Sequence, residues 1–219
     1  MRTVVEAPNG ALVALEADPA GAEDARLAAE AGLVLVREVL QLRCNLPLER
    51  PSTCRTRPFR AGADEAEFLR VNNLAFRWHP DQSDWTADDL ARRLAEPWFD
   101  ADGFLLLDDE DDGDDEDHDE GILAFCWTKV HPPAGTDPAL GEIFVIGVDP
   151  TAHGRGLGTE MVRAGLDHLA AQGLTVGMLH VEADNQPALR MYERLGFSRH
   201  SSHQWWARPG SPVPAAGRG

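Results

Sequence analysis

The chain predicts an α/β or α+β layout, with strands and helices alternating around one sheet. Three observations carry this. Apolar runs such as LVLVREVLQLRC and EIFVIGV recur along the sequence, and their period-two or continuous apolar patterns are those of strands. Between them lie segments with apolar residues three and four apart, closed by capping residues or glycine. The 219 residues are also enough to bury a sizeable core.

Taken in order, ALVALEA (11–17) predicts a strand, AGAEDARLAAEAG (20–32) a helix with a glycine stop, and LVLVREVLQLRC (33–44) a strand. A proline-rich link, NLPLERPSTCRTRP, follows, and a second part begins near Thr56. There ADEAEFLRVNNLAF (63–76) reads as a helix, and Thr86 caps a second one, TADDLARRLAEPW. Strands are expected at FLLL (104–107), ILAFCWTKVH (122–131) and EIFVIGV (142–148). The last is nearly all apolar, which predicts burial on both faces. A glycine turn, HGRGLGTEMV (153–162), opens a helix in which Gly158, Val162, Leu166 and Leu169 form one core-facing stripe. LTVGMLHVE (174–182) is a further strand. ADNQPALRMYERLGF (183–197) is a helix capped by Asp184 or Asn185, with Pro187 in its first turn and Gly196 ending it. Ser201 to Ala207 closes the series as a strand, and residues 208–219 have the composition of a disordered tail.

Net charge is −17, and eleven acids crowd into DDEDDGDDEDHDE, Asp108 to Glu120. Such a run is expected to be a solvated loop. It lacks the spacing of a calcium site. Overall acidity argues against nucleic acid as a partner. No apolar run reaches the roughly 18 residues of a membrane span, and the opening MRTVVEAPNG lacks the basic-then-apolar layout of a secretory signal. Three scattered cysteines, Cys44, Cys54 and Cys126, make no disulfide framework and fit a reducing cytosol. The histidines have no metal spacing, so no metal is expected. No Ser-His-Asp or Cys-His nucleophile is evident either.

A strand, a glycine turn and a helix together form a recurring phosphate-binding arrangement. Glycines let backbone approach an anion, and the first helical amides point outward, unpaired, at the positive end of the helix dipole. Arg155 adds a cation beside them. The turn lacks the Gly-Lys-Ser/Thr of a nucleotide P-loop. It also fails the dinucleotide fingerprint, because Thr159 stands where the third glycine is needed. The turn alone leaves open whether it holds a ligand at all.

IGVDPTAHGRGLGTEMV followed by HVEADNQPALRMYERLGF resembles the GNAT acetyltransferase superfamily. That family's Q/R-x-x-G-x-G/A turn binds the pyrophosphate of acetyl-CoA through backbone amides. The motif falls on His153, Gly154, Arg155, Gly156, Leu157 and Gly158, with Thr159 next, and His153 departs from the Gln or Arg expected first. The second signature, N-x-x-A-x-x-x-Y-x-x-x-G-F, stands at Asn185, Ala188, Tyr192, Gly196 and Phe197. It implies cofactor contact along Asn185, Gln186, Pro187, Ala188, Leu189 and Arg190. A narrower resemblance, to the mycothiol synthase family, is carried by VNNLAFRWHPDQSDWT, WFDADG, WTKVH, GEIFVIGVDP and ADNQPALRMYERLGF in that order. That family has two tandem GNAT domains, the C-terminal one active. By this resemblance residues 1–50 are the remnant of an N-terminal GNAT-like domain and residues 55–207 the catalytic domain.

The resemblance implies a mixed, mostly antiparallel sheet flanked by helices and splayed between the strands ending at Val148 and Glu182. Pantetheine would lie in that gap against Ile146, Gly147 and Val148. The implied reaction uses acetyl-CoA to acetylate the cysteinyl amine of cysteinyl-glucosaminyl-inositol. The expected setting is a cytoplasmic monomer acting on small molecules.

An α-amino group of pKa about 7.7–8.0 must lose a proton before it attacks a thioester. Glu142 opens an apolar strand, where burial would raise its pKa toward a useful value. Spacing alone leaves it as a base or as a solvated strand-end carboxylate, and the resemblance implies the base. Tyr192 is the only tyrosine and shares a helix face with Asn185. It is either a core tyrosine or, as the resemblance implies, the acid that protonates the leaving thiolate. Lys129 in an apolar strand either snorkels to water or, by resemblance, contacts substrate. Asp81 aligns with a substrate-binding glutamate and is one methylene shorter; His180 stands where a tyrosine is frequent. These departures keep open a GNAT enzyme acting on another amine, such as a peptide N-terminus or an antibiotic. A reading from a different class is a non-catalytic CoA-binding module.

Overall fold

The computed structural model describes residues 1–6, 12–77, 84–109 and 121–211. Among these the elements run β1 (Arg2–Glu6), β2 (Leu12–Ala17), α1 (Ala22–Glu30), β3 (Val34–Asn45), β4 (Arg57–Pro58), α2 (Glu65–Ala75), α3 (Ala87–Leu94), β5 (Phe104–Asp108), β6 (Ile122–His131), β7 (Leu140–Val148), a short 3-10 turn (Pro150–Ala152), α4 (Leu157–Ala171), β8 (Val176–Glu182), α5 (Gln186–Arg194) and β9 (Ser198–Ala207). The expected strand–helix alternation is present. Two strands, β1 and the two-residue β4, lie where no strand was expected. Residues 212–219 of the tail and residues 110–120 of the acidic run lie outside the described residues.

The chain divides into two compact units, Met1–Cys44 with Met178–Gly219, and Asn45–Gly177. The expectation separated residues 1–50 from 55–207. In the structure the first 44 residues share a compact unit with the last 42. In that first unit the strand order is β1-β2-β9-β3-β8. β9 pairs antiparallel with both β2 and β3. α1 covers a small core of Leu15, Ala17, Ala28, Leu33 and Trp206. Arg37, buried on β3, binds Glu182 on β8 through Nη2 at 2.5 Å and lies over the Trp205 ring.

The second unit is built on the order β7-β6-β5-β4, with antiparallel register throughout. One face carries an aromatic core. Phe59, Phe104 and Trp127 stack in parallel at 4.5 and 4.3 Å, and Phe68 from α2 meets Phe104 and Phe125 edge-on. Edge and stacked geometries suit the ring quadrupoles. The other face takes α4. A Cβ at Gly165 would come within 2.5 Å of Cys126 Sγ and 2.7 Å of Ile143 Cδ1, so only glycine lets this helix lie so close. Burial pushes the Cys126 thiol up to about 12, leaving it inert packing. β7 is buried on both faces only over Leu140–Ile143; beyond that, burial alternates.

Two expectations about loops change. Asp108 ends β5 rather than opening a solvated loop, and with Asp64 it grips the Arg57 guanidinium at 2.6 and 2.7 Å. The proline-rich link is strapped to α4. Ser52 N–H donates to Asp167 at 2.7 Å, and Thr53 N–H to Glu160 at 2.7 Å.

Candidate active site

The glycine turn is built from β7 outward. Asp149 follows the strand and is buried. One carboxylate oxygen accepts the Thr151 N–H at 2.8 Å and hydroxyl at 2.7 Å, and the other accepts Arg70 Nη1 at 2.6 Å. Burial pushes this carboxyl up, but the Thr151 hydroxyl and amide and the Arg70 guanidinium outweigh it and hold it below the usual carboxylate range. The chain then turns through Gly154 and Gly156, at φ +81° and +79°. This left-handed region costs an L side chain about 1–2 kcal/mol. Space is not the constraint, since a Cβ at either glycine meets nothing within 4 Å.

Gly156 caps α4. Among the described residues the N–H groups of Gly154, Arg155, Gly156, Leu157 and Gly158 donate to no protein acceptor. Thr159 and Glu160 already donate back to the Gly156 carbonyl. His153 Nε2 lies 3.2 Å from the Val148 carbonyl. The one carboxylate in the first turn, Glu160, is neutralised where it stands. The Thr53 N–H and hydroxyl and Arg163 bind it and lower its pKa. Outward amides, a helix N-terminus and no free anion fit a diphosphate.

On the same unit, the β6–β7 register sets a side-chain cluster. Val145 stands opposite Trp127, but Ile143 stands opposite Thr128, so Phe144 is the extra residue of a bulge. The slip brings Glu142 opposite Lys129, on the face of Trp127 and Val145. In an unbroken strand, three residues from Val145 would put Glu142 on the opposite face. Glu142 is buried, its side chain 9% exposed, and its Oε2 lies 2.7 Å from Nε2 of His131, itself 31% exposed. Lys129 does not simply snorkel. Its ammonium sits 4.5 Å above the Trp98 ring and 5.4 Å from that of Phe144, within cation–π range. Sequence reasoning missed His131, Trp98 and Phe144. His131 does share parity with Lys129 in WTKVH, but pairing with Glu142 depends on the register.

Ile146, Gly147 and Val148 end β7, and Gly147 packs against Phe125. In the first unit, Asn185 is the cap of α5, its side chain accepting the Ala188 N–H at 3.2 Å; this resolves the choice left open with Asp184. Gln186 through Arg190 form the opening turn, with Pro187 in it. Tyr192 is buried, its ring edge-on to Phe197 at 5.7 Å. His180 is exposed on β8, 3.4 Å from the Gln41 amide. Asp81 lies outside the described residues. No helix among the described residues is long and apolar enough to cross a membrane.

Comparison with known proteins places this geometry. The profile of the acetyltransferase (GNAT) family matches residues 69–197. The mycothiol acetyltransferase of Rhodococcus erythropolis is 45% identical over 182 residues, covering 80% of this chain and 59% of that protein. That of Kocuria rhizophila is 47% identical over 182 residues, covering 80% and 58%. The chain thus spans less than two thirds of the length of these relatives. Among solved structures, a GCN5-related N-acetyltransferase from Sphaerobacter thermophilus matches with a TM-score of 0.67 at 18% identity, over 97% of this chain and 82% of that one. A GNAT acetyltransferase from Colwellia psychrerythraea matches at 0.60 and 13%, over 89% and 63%. These two likenesses concern the fold. With the family profile covering more than half its length, the chain belongs to the acetyltransferase (GNAT) family.

Proposed function

We propose that this chain is the catalytic GNAT portion of a mycothiol acetyltransferase. In this reading it moves an acetyl group from acetyl-CoA to the cysteinyl amine of cysteinyl-glucosaminyl-inositol. The observation that carries the reading is the Glu142 carboxylate, held by His131 beside Lys129, in the unit that also carries the open glycine turn. A non-catalytic CoA carrier has no use for such a carboxylate.

The diphosphate lies against the amides of Gly154–Gly158 in this proposal, with Arg155 and Thr159 beside it and His153 bracing the turn. Pantetheine amides pair with Ile146 and Val148 past Gly147. Asn185, Gln186, Pro187, Ala188, Leu189 and Arg190 complete the coenzyme contacts. Glu142 takes a proton from the amine, a step worth about 10²–10⁴-fold in rate. The amine attacks the thioester carbonyl, the C–S bond breaks, and Tyr192 gives its proton to the departing thiolate. Lys129, His180 and Asp81 contact the sugar and inositol hydroxyls. In this reading the enzyme works as a cytoplasmic monomer.

The test is thiol release from acetyl-CoA by the purified chain with the cysteinyl pseudodisaccharide, against a peptide N-terminus and an aminoglycoside. Turnover fastest with the pseudodisaccharide supports the proposal. Turnover only with another amine reassigns the substrate. That second reading has one observation in its favour, the exposed His180 where the resembled family often has tyrosine.

A further inference from the structure

His131 holds Glu142 but takes no step in the acetyl transfer itself. Glu142 Oε2 is 2.7 Å from His131 Nε2, and the imidazole is more exposed to solvent than the carboxylate. An Nε2–H donated to Oε2 fixes the carboxylate rotamer. A second proton on the ring then goes to Nδ1. The resulting imidazolium beside the carboxylate weakens it as a base, because a neighbouring cation favours the ionised form of a carboxyl group. The other charged groups brought to this face are Lys129, opposite Glu142, and Arg93 of α3, over the Phe144 ring at 5.6 Å. Both are cations. Histidine is the side chain that ordinarily changes charge between pH 5 and 8.

We infer that His131 is the positioning residue of the base: neutral, it aims and holds the Glu142 carboxylate, and protonated, it turns the base off. The inference rests on the acetyltransferase reading and adds to it the group that shuts the reaction down in acid.

The experiment compares kcat at saturating acetyl-CoA and amine for wild type, His131→Gln and His131→Leu from pH 5.5 to 8.5. The glutamine amide donates from nearly the same place but cannot titrate. Dividing variant by wild-type rates cancels the ionisation of the substrate amine, which all three share. The Leu variant is expected to lose at least about tenfold in kcat at pH 8.5, with KM for acetyl-CoA unchanged. The Gln variant should recover most of that loss, and its ratio to wild type should climb about fivefold as pH falls to 5.5. A Gln-to-wild-type ratio that is flat with pH, or a Leu variant as fast as wild type, overturns the inference. Should the Leu variant fail to fold, the Gln ratio decides alone. If the wild type acetylates no amine, the functional reading fails by itself, and NMR of the His131 ring decides the pairing. The Nε2–H proton held by Oε2 should be protected from exchange in wild type and lose that protection in Glu142→Leu, and equal protection in both overturns the pairing.

Discussion

The glycine turn at 153–159 and the Glu142–His131–Lys129 cluster belong to the same unit, yet they are made in opposite ways. The turn is nearly all backbone. Its shape comes from two positive-φ glycines, and its chemistry comes from N–H groups that every residue but proline carries. The cluster is all side chains. Its chemistry depends on one bulge at Phe144 that turns Glu142 onto the face of Lys129. Backbone recognition therefore tolerates a changed side chain, as at His153, provided φ is kept. Side-chain catalysis tolerates neither a changed group nor a shifted register.

Glu142→Gln is expected to break the cluster most severely, lowering kcat by about 10²–10⁴-fold while KM for acetyl-CoA stays within about twofold. Steady-state kinetics checks this, and a KM that rose with an unchanged kcat would move Glu142 into binding. Asp149→Ala removes the support beneath the turn. It should cost about 1–2 kcal/mol of folding stability, read as a lower urea midpoint. Because the native Asp149 pKa is depressed, its stabilisation is complete above the ordinary carboxylate pKa near ~3.9 and fades as pH falls through the lower folded value. The gap between wild type and variant is thus constant from pH 8 to 5 and closes in stronger acid.

Gly156→Val tests the turn itself. The added side chain has room but must adopt φ +79°, so strain of about 1–2 kcal/mol should raise the acetyl-CoA KM about tenfold and leave saturated kcat nearly unchanged. The smallest effect is expected for His153→Ala, whose contact with the Val148 carbonyl is long and exposed. Binding of acetyl-CoA by calorimetry should change by less than about twofold; a larger loss would mean that the turn reads its ligand through side chains after all.

Much of this was legible from the residues. The helices at 65–75, 87–94, 157–171 and 186–194 follow from apolar spacing and caps, which are local properties. Thr86 caps as expected, and of the two expected candidates Asn185 is the cap, because their side-chain oxygens accept from amides three residues on. β1 was not legible, since RTVVE is exposed along its whole length and has no buried face to leave a pattern. β4 is a two-residue bridge to β5, too short for any period. The link at 45–56 read as a spacer because its anchors, Glu160 and Asp167, are more than a hundred residues away.

The sequence by itself determined the turn: glycines at 154 and 156 before a helix allow that conformation wherever the segment is placed. Only the tertiary structure decided what Glu142 meets. Alternation from Val145 would put it on the wrong face, and the bulge, the approach of α4 at Gly165 and the partnership with His131 all arise between residues on different elements. The physical reason is the range of the forces. Backbone torsions are set by neighbours in sequence, while register and burial are set by whatever packs across the sheet.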